Sequence, residues 1–192
     1  MREPKILVFA GSVRSDSWNR KVAMAARNAL AAAGADVTLA DLRDYPMPMY
    51  DGDVEAEQGL PSPAKAFKEL VRRHDVLVIA SPEYNGSFPA LLKNAIDWAS
   101  RPEPGEPHLA VFRGKTAALL SASPGQGGGK RGLRHLRELL EMIGMNVVGP
   151  LISIPRVSAA FDGTGNLARA EDQAALDGLV AELTGATANT AA

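Results

Sequence analysis

Five strand-like segments, four of them strongly apolar and each of the first four followed by a stretch of helical period, constrain this chain more than any other feature. Lys5–Ala10 is apolar after its lysine and stops at Gly11-Ser12, the pattern of a strand covered on both faces. Asp36–Ala40, Val76–Ala80 and Thr116–Leu120 read as further strands, and a fifth runs from Asn146-Val147-Val148 through Ile152 to Ile154. Between the first two, Val22, Ala25, Ala26, Ala29, Leu30 and Ala33 recur at helical spacing and end at Gly34, a helix stop signal. Phe67, Leu70 and Val71 mark a second helix, and Leu91, Leu92, Ala95, Ile96 and Ala99 a third. Leu133, Leu136, Leu140 and Ile143 mark a fourth, ended by Gly144, and Leu176, Leu179, Val180 and Leu183 the last. Residues 43–62, punctuated by Pro46, Pro48, Gly52, Gly59 and Pro61, read as one long loop, a length that in compact domains is usually functional. A Pro-rich loop spans 102–107.

Strands alternating with helices imply a parallel sheet covered on both faces. With a candidate binding loop directly after the first strand, the chain fits a flavodoxin-like three-layer α/β sandwich. Its five-stranded parallel sheet, in order 2-1-3-4-5, suits this sequence better than the six-stranded dinucleotide fold. No repeat or linker composition divides the chain, so residues 1–184 read as a single domain and 185–192 as a disordered tail. The 46% apolar content suffices for a core. Lys plus Arg number 21 against 22 acidic residues, a balance that argues against a nucleic-acid binder and against an acid-rich disordered chain. The absence of cysteine excludes disulfide scaffolds, thiolate metal sites and cysteine nucleophiles. The three histidines lack metal-ligand spacing, so no metal is expected. The run Ile6–Ala10 is too short for a secretory segment, and no stretch approaches the roughly 20 apolar residues of a membrane span. The expectation is a soluble cytoplasmic protein with neither membrane nor nucleic acid as partner.

Ligands of such sheets bind outside the carboxyl ends of the strands, and three segments fall there. Gly11–Asn19 crowds Ser12, Arg14, Ser15, Ser17 and Asn19 at a helix N-terminus, whose N–H groups attract anions. It carries neither the dinucleotide glycine fingerprint nor a Walker loop. A serine-rich turn with Ser17 as N-cap accounts for it equally well. Ser81–Pro89 is a stiff loop with the Tyr84 ring and the Asn85 amide, on which a flat, polar-edged ring could lie; alone it reads as a turn before a helix in which Tyr84 packs. Ser121–Lys130 is rich in glycine, permitting close backbone approach to a ligand or simply a flexible linker. Three such loops at strand ends together make a flavin-shaped site the leading reading.

The segment G-S-V-R-S-D-S-W-N, followed some sixty residues on by S-P-E-Y-N-G-S-F-P-A-L-L-K-N-A-I-D-W, resembles the NAD(P)H-dependent FMN reductase family of quinone, azo-dye and chromate reductases. The likeness extends from the first strand to the helix after the fourth. Ala90 stands where the family usually has glycine, in a first helical turn that tolerates it. The resemblance implies FMN as cofactor, with NADPH or NADH as donor and NADPH favoured. It places the FMN phosphate on Ser12, Arg14, Ser17 and Asn19, with Trp18 in the same loop. Pro82, Glu83, Tyr84 and Asn85, with Gly86, would contact the isoalloxazine and ribityl chain, and Ser123 and Gly125 the other edge of the ring. It also implies a small-molecule electron acceptor (quinone, azo compound, metal ion or free flavin), ping-pong turnover, and a homodimer or homotetramer. Trp98 and Leu91 share a helix face separate from Leu92, Ile96 and Ala99, suiting either a subunit interface or a thick local core.

A flavin accepts the hydride itself, so no side chain is assigned as a catalytic base. Glu83 reads as loop scaffold, His74 as a helix C-terminal contact, and His108 and His135 as exposed. The alternative to a reductase is a flavodoxin-type electron carrier lacking a nicotinamide site, whose strongly acidic face this near-neutral chain does not offer. A receiver-type regulatory domain needs acidic residues after the first strand, where Gly11-Ser12 stand.

Overall fold

A computed structural model describes residues 3–185. The strands are β1 (Lys5–Ala10), β2 (Asp36–Ala40), β3 (Val76–Ala80), β4 (Thr116–Ala122), β5 (Asn146–Val147) and β6 (Ile152–Ile154). The α-helices are α1 (Trp18–Ala32), α2 (Gly52–Gln58), α3 (Ser62–Arg72), α4 (Ala90–Ser100), α5 (Lys130–Met142) and α6 (Ala170–Thr184). All pairings are parallel, in the order β2-β1-β3-β4-β5, with β6 also beside β4. This is the flavodoxin-like order expected. Ile6 lies between Val37 and Val76, which sets the register of the centre.

Alternation along the strands divides the core into two layers. Ile6, Val8, Val78 and Leu120 pack against Val22, Ala26 and Leu30 of α1 and Leu176 and Leu179 of α6. Leu7, Phe9, Leu77, Ile79 and Leu119 face Phe67 and Val71 of α3, Leu92 and Ile96 of α4, and Leu133, Leu136 and Leu140 of α5. Each such fully buried aliphatic side chain contributes about 1.5–3 kcal/mol. With both sheet faces covered, the carboxyl edge and its loops remain for ligands.

Two expectations need correction. The fifth strand is two strands, because Pro150 cannot donate to β4 and the chain turns away at Gly149-Pro150. The Arg137 guanidinium from α5 donates to the carbonyls of Val147 and Gly149 left at this break. Residues 43–62 are not a bare loop but hold α2, preceded by a 3-10 turn at Leu42–Asp44. α2 buries no residue, so its sequence shows no apolar period; it starts because the Asp51 carboxylate accepts from the Asp53 N–H.

This segment is tied to α4. The Asn94 side chain accepts from the Tyr50 N–H and donates to the Pro48 carbonyl, which also accepts from the Trp98 indole N–H. Trp98 is fully buried against Leu60, Ala64 and Tyr50. Of the two readings of its helix face, the local core is the observed one, and Trp98 is not available to a subunit interface. Just past the C-terminus of α4, the buried Lys68 ammonium donates to the Arg101 carbonyl and pairs with Glu106, which also pairs with Arg72. Burial opposes ionisation of Glu106, yet bonds from Lys68, the Glu103 N–H and Arg72 prevail and hold its carboxyl at about 2. His74 packs at the end of α3, its ring bonded to the Leu70 carbonyl and to Thr38 Oγ1. The tail beyond Gly185 lies outside the described residues.

Candidate active site

The three loops that follow β1, β3 and β4 meet in a cleft of about 170 Å³. Its walls are Ser12, Arg14, Ser17, Trp18 and Asn19 from the first loop and the start of α1, then Pro82, Glu83 and Tyr84, then Ala122, Ser123 and Pro124. Of the residues expected at the site, Asn85, Gly86 and Gly125 stand outside these walls.

Ser17 occupies the N-cap position of α1 in extended backbone, but its side chain makes no capping bond. The cap reading is therefore right in position and wrong in bonding. The first-turn N–H groups of α1 are not claimed by this hydroxyl, and such groups favour an anion. Ser12 Oγ lies 3.4 Å from the Arg14 N–H, a long contact. Arg14 is exposed, and among the described residues no side chain bonds its guanidinium. Asp16 instead lies 3.7 Å from Lys21. Asn19 behaves differently from its neighbours. Buried, it donates to the Ala122 carbonyl and accepts from the Ala122 N–H, both at 2.9 Å, clipping the first loop to the end of β4. Trp18 stacks on Phe161 with centroids 5.9 Å apart, under the Lys21 ammonium.

In the second loop Tyr84 and Ser87 exchange both backbone hydrogen bonds, at 2.8 and 3.1 Å. Asn85 (φ 52°) and Gly86 (φ 80°) between them make a turn with two positive φ angles, the conformation an Asn-Gly pair favours. The turn leaves Tyr84 47% exposed beside the cleft. Glu83 Oε2 accepts from the Gly132 N–H in the first turn of α5, at 3.0 Å, where the helix dipole favours a carboxylate. Glu83 is thus scaffold, as read. Glycine is needed at 129, where φ is 86° and a Cβ would fall 1.9 Å from Ser121 Oγ; at Gly132 a Cβ would fall 3.2 Å from the Ser87 backbone, a tight contact. His135 is exposed, with Nδ1 3.3 Å from Ser87 Oγ. His108 is exposed too.

The third loop is not a flexible linker. Ser123 donates from its N–H to Ile154, its Oγ accepts from the Gly125 N–H, and the Gly125 carbonyl accepts from the Arg156 N–H. Sequence reasoning passed over Arg20. Its guanidinium bonds the carbonyls of Arg14 and Ser15 and pairs with Asp41 at 2.7 Å. A bond from Arg43 holds the Asp41 carboxyl below its ordinary range, against the opposing effect of burial and with help from Arg20. Arg20 and Asp41 line a larger, open groove of about 590 Å³ that shares only Ser17 with the cleft and has no residue of the second or third loop. The cleft, not the groove, carries the converging chemistry.

Hydroxyls at an uncapped helix N-terminus beside an unpaired guanidinium form a donor set for a dianionic phosphate, and the exposed Tyr84 ring flanks space for a flat group. These residues fit FMN. Among the described residues no cluster of histidine and acidic side chains could hold a metal ion, and no helix is long and apolar enough to cross a membrane.

The profile of the family described as NADPH-dependent FMN reductase matches residues 4–158. The chain belongs to that family. It is an oxidoreductase that depends on FMN and NAD(P)H. The reductase is 41% identical over 164 residues to the NAD(P)H-dependent FMN reductase of Pseudomonas aeruginosa, covering 85% of this chain and 84% of that one. It is 36% identical over 166 residues to a 2-hydroxy-1,4-benzoquinone reductase of a Burkholderia species, covering 85% of each. Among solved structures it is similar to FerB, a flavoenzyme NAD(P)H:(acceptor) oxidoreductase from Paracoccus denitrificans. There the TM-score is 0.79 at 29% identity, over 95% of this chain and 96% of that one.

Proposed function

We propose that the cleft holds FMN and that the reductase passes two electrons from NAD(P)H to flat small molecules, quinones foremost, by a ping-pong mechanism. The observation that carries this is the N-terminus of α1, where the Ser17 side chain makes no capping bond and Arg14 is unpaired among the described residues, in one cleft with Tyr84 and Ser123. When bound, FMN supplies hydride acceptance from the nicotinamide and two-electron delivery to the acceptor. Ser12, Arg14 and Ser17 bind the phosphate, and Asn19 fixes their loop against β4. Pro82, Tyr84, Asn85 and Gly86 flank the ring system, with Trp18 toward the phosphate end. Ser123 and Gly125 form the opposite edge, held rigid by β6 and Arg156. Glu83 anchors the second loop on α5 and moves no proton. The names of the relatives support quinones as acceptors and either nicotinamide as donor, and the family description favours NADPH. Family resemblance supports a cytoplasmic homodimer or homotetramer.

The cleft is small, so donor and acceptor use one exposed face in turn. With FMN added to purified protein, NADPH oxidation should depend on a quinone, and double-reciprocal plots at several quinone concentrations should be parallel. Intersecting lines would reject the shared face. FMN binding without nicotinamide oxidation would make the protein an electron carrier instead.

A further inference from the structure

We infer that Arg20, oriented by Asp41, is the positioning residue of the FMN phosphate loop: it holds the carbonyls of Arg14 and Ser15 away from the phosphate. This rests on the cleft being the FMN site.

The Arg20 guanidinium makes three bonds. Nη1 donates to the Arg14 carbonyl at 3.4 Å and to the Ser15 carbonyl at 3.3 Å, both long contacts, and Nη2 donates to Asp41 Oδ2 at 2.7 Å. Arg20 is absent from the walls of the cleft and lines the neighbouring groove, which shares Ser17 with it. In a trans peptide the C=O and the following N–H point in opposite directions. Drawing the Arg14 and Ser15 carbonyls toward Arg20 therefore turns the Ser15 and Asp16 N–H groups away from it. A loop otherwise free to rotate its peptides would present carbonyl oxygens to an anion and repel it. Asp41 comes from the end of β2, fixed by β1 and by its own bonds from Arg43. The loop after β1 is thus braced against the neighbouring strand through one side chain.

The competing reading is that Arg20 swings over and touches the phosphate itself. The two differ on Asp41. If Arg20 acts through the loop, removing the Asp41 charge loosens it and weakens FMN. If Arg20 touches the phosphate, releasing it from Asp41 leaves FMN binding unchanged or tighter.

The experiment measures FMN and riboflavin affinity by quenching of flavin fluorescence for wild type, Arg20→Met and Asp41→Asn, with thermal melts as a check on folding. Met keeps the helix and the aliphatic stem; Asn keeps an acceptor for the Arg43 N–H. We expect FMN affinity to fall about tenfold in Arg20→Met and about threefold in Asp41→Asn, with riboflavin affinity unchanged in both. Arg20→Lys, which can reach only part of the set, should lie between wild type and Arg20→Met. Unchanged FMN affinity in Arg20→Met overturns the inference, as does Asp41→Asn binding FMN as tightly as wild type. An equal loss of riboflavin affinity also overturns it, marking a general structural role. Wild type that binds riboflavin as tightly as FMN would instead reject the phosphate cradle itself.

Discussion

Arg14, in the loop after β1, and Asn19, in the first turn of α1, both suit an anion by residue type, yet their surroundings separate them. Arg14 is exposed with its guanidinium unpaired among the described residues, whereas the Asn19 amide is committed at both ends to Ala122, 103 residues away. Arg14→Ala should weaken FMN about 10- to 100-fold, the loss of one charge-assisted interaction of roughly 1.5–3 kcal/mol. Riboflavin should scarcely notice, and titration with both flavins checks this; unaltered FMN affinity removes Arg14 from the site. Asn19→Ala should instead strand the Ala122 backbone groups, costing about 1–3 kcal/mol of stability in urea unfolding and weakening both flavins. The residue types of the loop were legible in the sequence. Their division of labour was not, because it depends on partners distant in the chain. Ser17 shows the same limit, since its N-cap position follows from the sequence but its uncommitted hydroxyl does not. The Asn85-Gly86 turn was open to sequence reasoning, as that dipeptide is itself the signal for two positive φ angles.

Elements with an apolar period declare themselves, and those without one do not. β1, β3 and β4 are buried along nearly their whole length, and α3 and α5 set strongly apolar faces on the sheet, so their positions follow from the pattern. α2 has no fully buried residue and is held by Asp51, Glu55 and Arg101, polar contacts that leave no period. The strand break before Pro150 was visible as a proline but hidden by the apolar residues on either side. The link between α3 and the 102–107 loop was equally hidden, for it rests on two cations of α3, the buried Lys68 and Arg72, that meet on Glu106. Glu106→Gln would leave Lys68 with the Arg101 carbonyl and the more distant Glu103. Breaking a buried pair in this way should cost about 3 kcal/mol at neutral pH. The folded carboxyl titrates at about 2, below its unfolded range near 4.5, so its contribution is complete above that range and disappears as pH falls toward 2. Urea unfolding of wild type and Glu106→Gln should show a gap that is widest at neutral pH and narrows below about 4.5. A gap that stayed constant down to pH 3 would exclude this pair as its source.

For the molecule as a whole, the sheet order decides where chemistry can occur. β1 and β3 are adjacent, β3 and β4 are adjacent, and parallel pairing sends all three following loops to one edge. The cleft therefore exists only when the sheet is assembled, and the unfolded chain has no counterpart of it. A ligand that binds only the folded state stabilises it by mass action. At a free FMN concentration a hundredfold above Kd the gain is about 2.7 kcal/mol. For a chain of this size that corresponds to a rise in Tm of roughly 5–10 °C. On the proposed reading, the size of the cleft and its single phosphate cradle also set the selectivity. The first loop offers one helix N-terminus and Arg14, with no second loop of that kind among the described residues for the added phosphate of FAD. FMN should raise Tm more than FAD or riboflavin at equal concentration, riboflavin falling short because it leaves the cradle unused. In Arg14→Ala the FMN and riboflavin shifts should converge. Thermal melts with the three flavins decide the matter, and equal shifts from FMN and FAD would show that the cradle does not select the ligand.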